Sequence, residues 1–287
     1  MMIVVKMYGG LGNQLFQYAT AREVAARSGK ELILDLSELD RTVDLPDARR
    51  FTLANEPISA RLPNESEAVI LAKYRGRIRR RLHSFRPLRL IVEKRPYRWD
   101  KRLSEVRCDS YLDGYWQSYK YFCGSRDAVR KELGIYSRAF KHPDAFFFEG
   151  SVGVHVRRGD YITNVKAAGH HGFVGLDYFQ QAMAYMRSSI SHARFIIFSD
   201  DVAWCREHLL GHGDVKLAVD VLGICDDVTE FRALSSCQHH IISNSSFSWW
   251  AAWLKQNETG ITIAPKRWLL GSQLDTSDLI PGSWISL

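Results

Sequence analysis

Apolar residues along this chain fall into two rhythms. Short unbroken runs, such as IVVKMY at 3–8 and ELILDL at 31–36, are bounded by glycine or charge. That is the pattern of strands buried on both faces. Between them, apolar positions recur at helical spacing. In QLFQYATAREVAARSGK, Leu15, Tyr18, Ala19 and Arg22 share one face, and Gly29 stands where a helix stops. GGLGN at 9–13 then reads as a tight loop, so the chain opens as strand, loop, helix, strand. Residues 37–105 resist assignment, because Pro46, Pro57, Pro63, Pro87 and Pro96 interrupt any long element. SYLDGYW (110–116) predicts another strand and YKYFCGSRDAVRKELG a helix behind it. The aromatic-rich stretch 140–150, with Pro143, predicts a linker.

After the linker the alternation becomes regular. Strands are predicted at 151–156, 194–200, 215–220, 239–244 and 260–265, and helices at 176–190, 202–210, 224–237 and 245–257. Strands separated by helices of this length form parallel βαβ units with right-handed crossovers. The chain of 287 residues is long enough for two such domains of about 150 each. The expected fold class is therefore α/β, with two doubly wound domains, 1–139 and 151–287, on either side of a cleft.

Composition narrows the setting. The opening run MMIVVKMY is too short for a signal-peptide core, and WWAAWL at 249–254 is well under a spanning helix. A cytoplasmic chain is expected. Five scattered cysteines without a CxxC pair read as reduced thiols. The adjacent pairs His170–His171 and His239–His240 put successive rings on different faces, so no metal site is expected. The net charge of +7 sits in one segment: residues 73–107 hold 14 basic and three acidic side chains, against 25 and 29 elsewhere. Such a block can be a solvated face, or it can meet nucleic acid, anionic lipid or a negatively charged acceptor. The aromatics within it barely supply a nucleic-acid platform, and no nucleic-acid partner is expected.

Three loops at strand ends carry the candidate chemistry. HVRRGDY (155–161) ends a buried strand with a histidine, two arginines and an aspartate. Paired guanidinium groups there suit a diphosphate, since each makes forked bonds to phosphate oxygens. FSDD brings Asp200 and Asp201 to the next strand end, able to accept from a base or a ribose. SNSSFS brings Ser245 and Ser246 to a helix start, where they can cap the helix or share its N–H groups with phosphate. YGGLGNQLF is neither a P-loop nor GxGxxG; its glycines Gly10 and Gly12 allow close approach, and Asn13 and Gln14 are expected to point amides at a ligand. No DxD occurs anywhere, so a leaving diphosphate would be neutralised by arginine and N–H groups.

In that order, GGLGNQLFQYA, DGYWQSYKYF, HVRRGDY, FSDD and SNSSFSWWAAWL resemble the bacterial α-1,2-fucosyltransferases. HxRRxD alone is shared with α-1,6- and protein O-fucosyltransferases; the combination is what resembles the α-1,2 family. The resemblance runs from about Gly9 to Pro265 and is weakest over 37–105. It implies a GT-B fold of two Rossmann-like domains, the C-terminal one binding GDP-L-fucose. It also implies inverting transfer to the 2-hydroxyl of a galactose in an O-antigen-like, β-galactoside-ended glycan, with no required metal or cofactor. By position, Arg157 would grip the β-phosphate with Arg158 beside it. His155 and Asp200 would lie near the guanosine, and Ser245, Ser246 and Phe247 around the phosphates and sugar. Asn13 would face the transfer site. Asp160 is the carboxylate nearest in sequence to serve as base, with a path lacking a strong base left open. A lipid-linked acceptor would place the protein peripherally on the inner membrane face, docked through 73–107. A sugar-nucleotide binder without transferase activity is the competing reading, and it has no use for GGLGN.

Overall fold

The computed structural model describes residues 1–41, 49–54, 56–74, 87–133, 149–159, 172–223, 226–255 and 257–287. The chain divides into two units: Met1–Gly134 with Asp275–Leu279, and Ile135–Leu274 with Ile280–Leu287.

The first unit is built on four parallel strands: β1 (Met2–Lys6), β2 (Glu31–Asp35), β3 (Arg89–Val92) and β4 (Ser110–Asp113). Their spatial order is β2-β1-β4-β3. Ile3, Val4 and Val5 are wholly buried, as an unbroken apolar run in a sheet covered on both faces must be. Helix α1 (Leu11–Ser28) follows β1 and ends at Gly29, whose φ of 63° is the left-handed cap expected of that glycine. GGLGN is not a loop throughout, however. Gly10 is the N-cap, and the N–H groups of Asn13 and Gln14 already donate to its carbonyl at 3.0 Å. The opaque 37–105 stretch contains β3 and a helix, Glu65–Leu71. That helix is started by a capping box in which Asn64 and Glu67 satisfy each other's backbone N–H groups. The strand expected over 110–116 stops at Asp113, and the helix after it is confined to Arg126–Glu132.

The second unit has six parallel strands: β5 (Ser151–Val156), β6 (Arg194–Ser199), β7 (Val215–Leu217), β8 (His239–Ile241), β9 (Thr262–Ala264) and β10 (Ile285–Ser286). Their order is β10-β9-β8-β5-β6-β7. Val152, Val154, Phe179, Met186, Phe195, Ile197, Ile241 and Ile263 form its core. Residues 215–220, expected as one strand, turn into the helix Ala218–Leu222 after Leu217. The tryptophans of WWAAWL sit in helix Ser246–Trp253 and pack inward, Trp249 and Trp250 fully buried. No helix among the described residues is long and apolar enough to cross a membrane. The linker at 140–148 and the arginine-rich core of the basic block, 75–86, lie outside the described residues. Farther along that block, Arg98 pairs with Asp275 and Asp278, and Arg102 with Asp100, so part of its charge is spent within the unit.

A sequence division that keeps 151–287 together misses one feature: Asp275–Leu279 cluster with the first unit. Asp278 explains why. Only 6% exposed, it accepts from Trp99 N–H at 2.9 Å and from Lys120 Nζ at 2.6 Å, and it pairs electrostatically with Arg98, whose Nε lies 3.1 Å away. Burial works against its charge, yet the bonds from Lys120 and Trp99 hold its pKa below the usual carboxylate range. Replacing Asp278 with Ala removes the acceptor of the Trp99 N–H and of Lys120 Nζ together with the Arg98 ion pair, and should cost about 1–3 kcal/mol in chemical unfolding. A loss under about 0.5 kcal/mol would contradict this anchoring role.

Candidate active site

Open α/β sheets bind ligands beyond the carboxyl ends of their strands, where the strand order reverses. In the second unit β6 and β7 extend to one side of β5 and β8 and β9 to the other, so the reversal lies between β5 and β8. HVRRG leaves β5 there, and SNSSF leaves β8. His155 joins the two: its Nδ1 is 2.9 Å from Ser243 Oγ, and its ring stacks on Phe247 with centroids 5.4 Å apart. Burial, reinforced by the charge of Arg157, pushes the His155 pKa down to about 3. The ring is therefore a neutral spacer at physiological pH.

The two arginines divide their work. Arg157 extends toward Asp200, with Nη1 3.2 Å from Oδ2, and its side chain stays partly open to solvent. Arg158 is held by several contacts, although its buried Nε has no hydrogen-bond partner among the described residues. It pairs with Asp201, lies over Phe173 and Trp204 at 5.7 and 5.2 Å, and donates its backbone N–H to Asp200 Oδ1 at 2.9 Å. Asp201 in turn caps helix Val202–His208 through Trp204 N–H at 3.1 Å. The Trp204 bond, with Arg158 adding to it, keeps Asp201 below the usual carboxylate pKa. A β-carbon on Gly159 would come within 3.1 Å of Asp200 Oδ2, a close contact that the Asp200 side chain would have to relieve by shifting.

Ser245 occupies the N-cap of helix Ser246–Trp253 but makes no side-chain capping bond, and the first turn carries no acid. Side-chain capping therefore does not account for Ser245, and N–H groups of a helix's first turn are suited to meet an anion. Asn244 is a brace: 1% exposed, it donates to the carbonyls of Gly172 and Trp268 at 3.0 and 3.1 Å. Sequence reasoning missed Glu230. It lines a cavity of about 140 Å³ at the carboxyl ends of β6 and β7, with Ser199, Leu217, Ala218 and Gly223. Burial, together with Asp227 and Asp200 nearby, raises its pKa. Only the TEF pattern at a helix's first turn could have hinted at it.

Asp160 lies outside the described residues, as do His170, His171 and Cys225. His239 and His240 are structural: His239 Nδ1 accepts from Ile261 N–H, and His240 Nε2 meets Leu234 carbonyl. In the first unit Asn13 does reach the carboxyl end of the sheet, where Gln117 Nε2 donates to its Oδ1 at 2.8 Å. Gln14 does not present its amide outward. Fully buried, it donates to the carbonyls of Gly9 and Arg50 and accepts twice from Thr52. Gly10 caps α1 and Gly12 is buried in its first turn.

A family description, "Glycosyl transferase family 11", matches residues 99–286, about two-thirds of the chain. The chain belongs to glycosyl transferase family 11. An alpha-1,2-colitosyltransferase of Escherichia coli is 30% identical, covering 99% of this chain and 98% of its own length. The O-antigen biosynthesis glycosyltransferase WbnK of Escherichia coli is 28% identical over 97% of this chain and 98% of that protein. A galactoside alpha-(1,2)-fucosyltransferase 2 of Hylobates lar is 27% identical over 90% of this chain and 70% of its own. Among solved structures, the fucosyltransferase NodZ from Bradyrhizobium superposes with a TM-score of 0.50 at 16% identity, covering 88% of this chain and 92% of that one. The fold is thus α/β of the GT-B type, and the chain is a glycosyltransferase.

Burial also sets a pH signature. His155 and His240, each held near pKa 3, stay neutral at pH 5, where an unfolded histidine is charged. The unfolded chain then binds protons that the folded chain refuses, so their contribution to stability is lost as pH falls from about 6.5 toward 3. Imidazole NMR signals of both residues should stay at their neutral positions between pH 7.5 and 5. Titration of either near 6.5 would contradict the burial.

Proposed function

We propose that this glycosyltransferase moves L-fucose from GDP-β-L-fucose to the 2-hydroxyl of a terminal β-galactoside, forming an α-1,2 linkage. The observation that carries the reading is the meeting of Arg157 and an uncapped helix N-terminus at one strand reversal, linked by His155 to Ser243 and Phe247. Both features stabilise the charge of a departing diphosphate. The acceptor oxygen attacks C1 from the face opposite the diphosphate. The C1–O bond breaks with its electron pair passing to the β-phosphate, and the acceptor proton leaves to a base or water. Arg157 is the group that holds the growing phosphate charge, oriented by Asp200. Arg158 acts as a brace for the loop. Glu230 suits the base subsite, because a carboxylate accepts from the N1–H and 2-amino groups of guanine. The names of the relatives support the linkage and the donor class.

The 30% identity to a colitosyltransferase favours a second donor reading, GDP-colitose, in which the sugar lacks the 3-hydroxyl of fucose. Sites built to hydrogen-bond a hydroxyl reject analogues lacking it by about 10⁴–10⁵-fold. Release of GDP from each donor, measured with and without a β-galactoside, separates the readings. Acceptor-dependent release from neither would overturn both.

Arg157→Lys keeps the charge but not the forked donor, and should lower kcat by about 2–4 kcal/mol of transition-state stabilisation with the fold intact. Normal turnover would remove Arg157 from the mechanism. Turnover should also persist in EDTA, as the missing DxD implies; activity restored only by added magnesium or manganese would contradict the arginine-based account.

A further inference from the structure

In the first unit the strand order reverses between β1 and β4, with β2 on one side and β3 beyond the other. The chain leaving β4 there turns through 114–116 before it reaches Gln117. That turn is strained. Trp116, fully buried, takes a φ of 58°, in the left-handed region that bulky side chains rarely adopt. Its indole Nε1 is buried without a hydrogen-bond partner among the described residues. A β-carbon on Gly114 would lie 2.4 Å from Glu93 Cβ, so Gly114 cannot be replaced without moving the turn. Backbone strain of this kind persists only where the surroundings over-determine it.

Glu93 supplies the hold. It follows β3, and its own N–H donates to the Asp113 carbonyl at 2.9 Å. Its two carboxylate oxygens accept from consecutive backbone groups, Oε2 from Tyr115 N–H at 2.9 Å and Oε1 from Trp116 N–H at 3.0 Å. The turn thereby sets two side chains. Tyr115 is 38% exposed, with its ring 4.6 Å from that of Tyr8, and Gln117 Nε2 donates to Asn13 Oδ1 at 2.8 Å.

The charge that does this is costly. Burial, opposed by the two N–H bonds, raises the Glu93 pKa to about 7, and Asp100 and Asp113 add to the rise. Arg102 is paired with Asp100, and Lys94, the next residue along the chain, is exposed. Tyr8, Tyr97, Tyr115 and Tyr121 also interact with Glu93, but burial raises each phenol, so these groups stay protonated at neutral pH. Because its folded pKa lies above the ordinary value, Glu93 favours the fold when protonated, and that contribution is lost as pH rises through about 7. Ionisation costs stability. What it adds is a second acceptor: a carboxylate can take both N–H groups, whereas the protonated acid carries a hydrogen on one oxygen.

We propose that Glu93 is a positioning residue for the transfer reaction: ionised, it fixes the 114–116 turn and with it Tyr115 and Gln117; protonated, it releases one N–H group and the turn loosens. Its bearing on transfer rests on the transferase reading above; the tie between the turn and one carboxyl rests on this geometry. The test follows the amide NMR signals of Tyr115 and Trp116 in the whole protein from about pH 6 to 8.5. Both should move with a single midpoint near 7 in the wild type and stay flat in Glu93→Gln. In turnover, KM for the galactoside should rise roughly three- to tenfold as pH falls through that midpoint, the worth of one hydrogen bond, with KM for the donor unchanged. Glu93→Gln should show the raised value at every pH. Glu105→Gln, which alters an exposed glutamate of the same unit, should follow the wild type. Wild-type amide signals that do not move over this range would overturn the proposal, as would wild-type KM and pH profile in Glu93→Gln. If Glu93→Gln fails to fold, the wild-type titration decides alone. If no GDP-sugar is turned over, the transferase reading falls while the amide titration still judges the turn.

Discussion

Parallel strand pairing on both sides of a central strand is the constraint on which the rest depends. β5 is bonded to β6 along its whole length and to β8 over Val152–Val154, so its backbone groups are satisfied inside the sheet. The chain can bring polar side chains together only where it leaves that sheet, at the carboxyl end. At that end His155, buried in β5, contacts Ser243 and Phe247 beyond β8. Being buried and neutral, the ring lets Ser243 and Phe247 approach without adding a third positive charge beside Arg157.

Asp200 touches both arginines of the loop. One carboxylate accepts the Arg158 backbone N–H and lies beside the Arg157 guanidinium. Arg158 turns away to Asp201 and to the faces of Phe173 and Trp204, where a guanidinium gains both charge pairing and cation–π attraction. Adjacent arginines thus take different carboxylates, Asp200 beside Arg157 and Asp201 beside Arg158.

The two units repeat one architectural device with opposite chemistry. At the reversal in the second unit stand an arginine and a helix N-terminus, which attract anions. At the reversal in the first stand Tyr8 and Tyr115, the amides of Asn13 and Gln117, and the carboxylates of Asp113 and Glu93. The first unit also claims Asp275–Leu279 through Asp278, whose buried carboxylate gathers Trp99, Lys120 and Arg98.

Most of the α/β alternation was legible from the sequence because strands covered on both faces must be continuously apolar, and the helices between them must repeat every 3.6 residues. HVRRGDY, FSDD and SNSSFS were visible for the same reason: polar or charged residues placed directly after a buried run have to lie at a strand end. Spacing could not show which arginine is spent on Asp201, that Gln14 turns inward to Thr52, or that Ser245 leaves its helix uncapped. Those outcomes depend on which side chain reaches a partner first across more than thirty residues of sequence, and local pattern carries no such information. β3 and the return of Asp278 were hidden likewise: a four-residue strand and a lone aspartate have too little periodicity to be read alone. Only parallel pairing with β4 makes Arg89–Val92 a strand, and only two donors and an arginine held by the folded unit make Asp278 an anchor.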